Sequence, residues 1–64
     1  MNVKKDERFY RYLYQLQRSG ITNMMGAAPY LQSHFGLDKN TAREILQTWM
    51  NKYEEIAKEL NIEI

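Results

Sequence analysis

Apolar side chains return along this chain at three- and four-residue intervals in three stretches, the mark of helices that each bury one face. In the first stretch Phe9, Leu13 and Leu16 form the stripe with Tyr12 beside them, which predicts a helix from about Lys4 to Ser19. Asp6 and Glu7 fall in its first turn and Arg18 in its last, the signs that the helix macrodipole favours. Gly20 supplies the left-handed residue on which many helices end. Tyr10 and Tyr14 lie one turn apart on a second face, so this helix is aromatic over more of its circumference than one core contact requires.

The link from Gly20 to Gly26 contains Thr22 and Asn23, both good capping residues, and Met24 and Met25, adaptable side chains suited to filling an irregular core. Pro29 lacks an N–H and belongs in a first helical turn, which places a short second helix at about Ala27–Phe35, ended by Gly36. A longer helix capped at Thr22 would be kinked at Pro29. Beyond the turn Gly36-Leu37-Asp38 the periodicity is strongest: Ala42, Leu46, Trp49, Tyr53, Ile56 and Leu60, widened by Ile45, Met50 and Ala57. No Gly or Pro interrupts it before Asn61, so the pattern predicts one third helix of about 22 residues, roughly 33 Å long. The expected fold is all-α: a three-helix domain, partly helix-turn-helix-like, with a long C-terminal helix. Its expected core is Phe9, Leu13, Leu16, Leu31, Phe35, Leu37, Ile45, Leu46 and Trp49.

Two surfaces follow from this layout. The far half of so long a helix outruns the first helix. Its seam of Tyr53, Ile56, Ala57 and Leu60, with Tyr10 and Tyr14, is therefore expected to form a homodimer interface. The second surface lies at the start of the third helix. Leu31, Phe35, Gly36, Leu37, Ala42 and Ile45 match the pattern in which a glycine turn locks two helices at a steep angle. Lys39, Asn40, Thr41, Arg43 and Gln47 would then face outward, and such side chains suit base edges and phosphates in a major groove. Gln32 stands where that pattern prefers a small residue, and Glu44 projects among the would-be contacts and would repel phosphate.

Composition narrows the classes. Sixty-four residues make a single domain, small enough to bury only about 60% of its unfolded surface. There is no cysteine, so stability must come from packing, and 44% of the residues are hydrophobic. The net charge of +1 gives no global steering and falls short of the strongly basic balance usual in DNA-binding domains. The charge is unevenly spread: net +3 over residues 1–20 and net −2 over residues 41–64, halves that could pair across a two-fold axis. No apolar run reaches the roughly 18 residues of a membrane span and no signal peptide precedes the pattern, so no membrane partner and a cytoplasmic location are expected.

Catalytic chemistry finds no foothold. The single histidine, His34, has no ligand set around it, Ser19 and Ser33 have no activating partner, and Glu54, Glu55 and Glu59 read as a solvated helix face. The three glycines are too scattered to cradle a phosphate, and no cofactor, metal or enzyme activity is expected. The five tyrosines suit protein interfaces as well as base stacking, and no strand platform for single strands is present in the pattern.

The strings Leu16-Gln17-Arg18-Ser19-Gly20, Thr22-Asn23-Met24, Gly26-Ala27-Ala28-Pro29-Tyr30-Leu31, Phe35-Gly36-Leu37, Ala42-Arg43-Glu44-Ile45-Leu46 and Trp49-Met50 carry a likeness. Together they resemble a set of short uncharacterised proteins of bacteriophages and marine bacteria. The resemblance implies a phage-related origin, and it supplies no activity and no functional residue. From its residues the chain is expected to be a non-catalytic module that binds a protein, a second copy of itself first. A small helix-turn-helix DNA-binding protein is the alternative.

Overall fold

The structure, a computed structural model, describes residues 6–23 and 26–63. Lys4, Met24 and Met25, to which the sequence assigns a helix start and a core-filling role, lie outside the described residues. Four helices follow one another: α1 (Glu7–Ser19), α2 (Ala28–Phe35), α3 (Lys39–Asn51) and α4 (Tyr53–Glu59). The chain is all-α, with no strand among the described residues.

Each boundary has a local cause. α1 stops at Gly20, whose φ of 73° takes the left-handed position and whose N–H is shared between the Leu16 and Gln17 carbonyls. Thr22 does not cap a longer helix through Pro29: Ala27 stands outside any helix, and Asn23 Oδ1 accepts the Gly26 N–H at 2.8 Å. α2 therefore begins late, with Pro29 in its first turn, where a missing N–H leaves no hydrogen bond unmade. α4 ends at Asn61, whose φ of 56° sends the Ile62 N–H back to the Ala57 carbonyl at 2.8 Å and its own N–H to Lys58 at 3.3 Å. This is a Schellman closure, with asparagine in the place glycine usually takes.

The long third helix expected from the periodicity is instead two helices. Lys52, with φ −120° and ψ 32°, breaks it between Asn51 and Tyr53. The break keeps its neighbouring hydrogen bonds: Lys52 N–H donates to Thr48 and Ile56 N–H to the Lys52 carbonyl, at 3.0 and 2.9 Å. A straight helix over both segments would run roughly 32 Å, whereas the longest extent of the domain is 26 Å. Bending at Lys52 lays α4 along α1 in the opposite sense. Tyr53 meets Tyr14 and Gln17, while Arg11 near the start of α1 reaches the Leu60 carbonyl.

That fold-back enlarges the core. Phe9, Leu13, Leu16, Leu31, Ile45, Leu46 and Trp49 are buried as the sequence predicts, and Phe35 and Leu37 pack against them half-buried. To these the structure adds Tyr10, Tyr14, Ala27, Ala42, Ile56, Ala57 and Leu60. Within the core the rings meet edge-on or tilted: Phe9 with Phe35 at 4.8 Å, and Trp49 with both Tyr14 and Tyr53 at 5.3 Å. The six residues assigned to a dimer seam are thus consumed within one chain. Tyr10, Tyr14, Ile56, Ala57 and Leu60 are at most 5% exposed and Tyr53 is half-buried, so the geometric reason for a second copy disappears. The charge asymmetry is likewise used internally, through carbonyls rather than acids. Arg11 donates to Leu60 O at 3.3 Å, a cation at the negative end of α4, and Arg18 donates to Glu63 O at 3.1 Å beyond that end.

Candidate nucleic-acid interface

The face that stays open is built by α2, a three-residue turn and α3. Gly36, with φ 70°, donates its N–H to the Gln32 carbonyl at 2.9 Å and reverses the chain. Leu37 then packs half-buried on the core, and Asp38, extended at φ −75° and ψ 164°, opens α3 by accepting the Ala42 N–H at its carbonyl. Leu31 and Ala42 are fully buried in this unit and Ile45 nearly so. The small residue that brings the two helices together is Ala42 on α3, not the residue at position 32. Gln32 can therefore be long: it lies half-buried at the edge of the contact rather than within it.

Of the five residues assigned to DNA contact, Lys39, Asn40, Arg43 and Gln47 are exposed on α3. Thr41 is not part of this surface. It is half-buried, and its hydroxyl, followed by the Thr41 and Asn40 amides, holds the Asp38 carboxyl below the usual carboxylate range. These groups act on Asp38 without a side-chain capping bond of standard geometry. Among the described residues neither Lys39, Arg43 nor Glu44 lies within ion-pair distance of an opposite charge.

Lys39 and Arg43, one turn apart, form one wall of a shallow cleft of about 300 Å³, and Ala28, Pro29 and Gln32 of α2 form the other, with Leu46 and Gln47 completing it. Gln32 and Pro29 are the members that periodicity did not reveal. The motif spacing marked position 32 as unusual, and that was the available signal. Glu44 lies on the exposed side of α3 next to this wall.

Other surfaces offer less. A cleft of about 330 Å³ between α1 and the C-terminal residues is lined by Arg11, Tyr14, Arg18 and Ile62, but both guanidinium groups are already bonded to carbonyls. His34 is exposed and stacks on Tyr12 with ring centres 4.3 Å apart. Among the described residues no group of three His, Cys, Asp or Glu is placed to hold a metal ion, and no helix is long and apolar enough to cross a membrane. Comparison with protein-family models, curated proteins and solved structures finds no match to this chain.

Proposed function

We propose that the domain is a small helix-turn-helix module that binds duplex DNA through the outer face of α3. One observation carries this: the Gly36 turn holds α2 and α3 around Leu31 and Ala42 while Lys39, Asn40, Arg43 and Gln47 stand exposed beside the α2–α3 cleft. A helix held this way offers amides along its outer face and cations on its flank to a groove about 12 Å wide. Two cations on one wall, without an ion-pair partner among the described residues, supply local attraction to phosphates despite a net charge of only +1. Affinity is accordingly modest and depends strongly on salt.

A protein-binding module takes second place. Its support was an apolar seam on α1 and the C-terminal helix, and those side chains are buried within the chain. Among the described residues the large apolar side chains left exposed are Ile21, at 63%, and Tyr30, at 38%, too few for a stable interface by themselves. Fluorescence anisotropy with a labelled mixed-sequence duplex at low salt tests the DNA proposal. Binding that weakens steeply with added salt supports it, and no binding at tens of micromolar protein rejects it.

A further inference from the structure

We infer that Glu44 is a specificity-determining residue that selects a cytosine in the major groove. The inference rests on the duplex-binding role just proposed. It comes from where the structure sets the buried stripe of α3. Ala42, Ile45, Leu46 and Trp49 face the core. Asn40, Glu44, Gln47 and Asn51, spaced by four, three and four residues, lie opposite and are exposed. They form the outermost ridge of the helix, and Gln47 Nε2 donates to Asn51 Oδ1 along it at 3.4 Å. Lys39 and Arg43 are set to one side of the ridge, on the wall towards α2.

A helix entering a groove places its outermost ridge deepest and its flanks near the phosphates. The cations of this domain are therefore at the flank, and the ridge carries amides and one carboxylate. Ionised Glu44 can only accept hydrogen bonds. Facing the major groove, cytosine presents its N4 amino donor, guanine two acceptors, thymine an acceptor and a methyl, and adenine a donor beside an acceptor. Cytosine is the base edge that meets an obligate acceptor without repulsion. Among the described residues no cation neutralises Glu44. Its charge therefore acts in two ways: it repels phosphates, which weakens binding to arbitrary duplex, and it favours the one edge that offers it a donor.

Selection from a randomised duplex pool, followed by anisotropy titrations of wild type, Glu44→Gln and Glu44→Ala, tests this. Glu44 is exposed, so the variants should fold, which their helical circular dichroism would confirm. Wild type should enrich cytosine at one position, and replacing that base should weaken binding roughly 5- to 100-fold. Glu44→Ala should bind mixed duplex several-fold more tightly, lose the preference at that position and keep preferences elsewhere. Glu44→Gln should tolerate adenine there. Retention of the cytosine preference by Glu44→Ala overturns the inference, and so does wild-type binding that depends on Arg43 without any cytosine preference. Those outcomes leave duplex binding intact. Failure of both wild type and Glu44→Ala to bind any duplex at low salt overturns the inference together with the function beneath it.

Discussion

The Tyr14 hydroxyl donates to the carbonyl of Tyr53, 39 residues later, and this bond joins the first helix to the last. It sits where α4 begins, just after the break at Lys52, on a ring packed against Trp49. The Trp49 indole N–H lies close enough to this hydroxyl to favour its ionised form, yet has no partner of hydrogen-bonding geometry among the described residues. Tyr14→Phe keeps the ring and removes the hydroxyl, leaving the Tyr53 carbonyl with one fewer donor. It should lower stability by about 1–2 kcal/mol in urea unfolding. Tyr53→Phe, which removes an exposed bond to Gln17, should cost less than half of that.

Truncating the centre of the core is a harsher test. Trp49 is 1% exposed and touches rings on α1 and α4. Trp49→Ala should cost about 3–5 kcal/mol, close to the whole stability of a domain of this size. The variant should be largely unfolded by circular dichroism at room temperature, and a cooperative melt within a few degrees of the parent would show that the core is elsewhere.

Oligomeric state follows from the same packing. With Tyr10, Tyr14, Ile56 and Leu60 buried internally, light scattering should give a monomer mass at hundreds of micromolar. Ile56→Glu should unfold the chain, because it places a charge at a site with 0% exposure, rather than yield a folded species of lower mass. A concentration-dependent dimer would require a surface other than this seam.

Alkaline pH should destabilise the fold. Burial, and then the Asp6 charge, raises the Tyr10 hydroxyl above its ordinary value of 10.0. Burial is also the main cause that raises Tyr14, with the Tyr53 hydroxyl adding to it and the Trp49 and Ala57 N–H groups opposing it. A folded-state pKa above the unfolded one gives stability that is complete below pH 10.0 and is lost as the pH climbs through the raised values. Tyrosinate absorbance should therefore rise together with the loss of helix. Tyr14→Phe should flatten this alkaline slope although it lowers stability at neutral pH.

On the proposed DNA surface, Arg43→Ala and Lys39→Ala should each weaken duplex binding. A residue that contacts phosphate should also reduce the slope of log affinity against log salt by about one when removed. Gly36→Ala tests the turn. A Cβ at Gly36 would meet nothing within 4 Å, so its cost is conformational alone, about 1–2 kcal/mol for a side chain at φ 70°. Wild-type affinity in the fraction of Gly36→Ala that stays folded, measured by anisotropy against helical content, would show that binding does not depend on the turn geometry.

Helical class, the end of α1 at Gly20, Pro29 in the first turn of α2, the Gly36 turn and seven of the nine expected core residues as buried positions were legible in the amino-acid order. Those features are local. They depend on glycine's access to positive φ, on proline's missing donor and on a 3.6-residue period, none of which needs a distant partner. The break at Lys52 was not legible, because no residue there prevents helix and the apolar period runs through it unchanged. Only tertiary packing decided it: α4 has to return along α1 to bury Ile56, Ala57 and Leu60 against Tyr10 and Tyr14. The same packing decided which apolar seam became core and left the polar face of α3 open. Periodicity reports that a face must be covered, and long-range geometry alone determines whether the chain's own residues cover it.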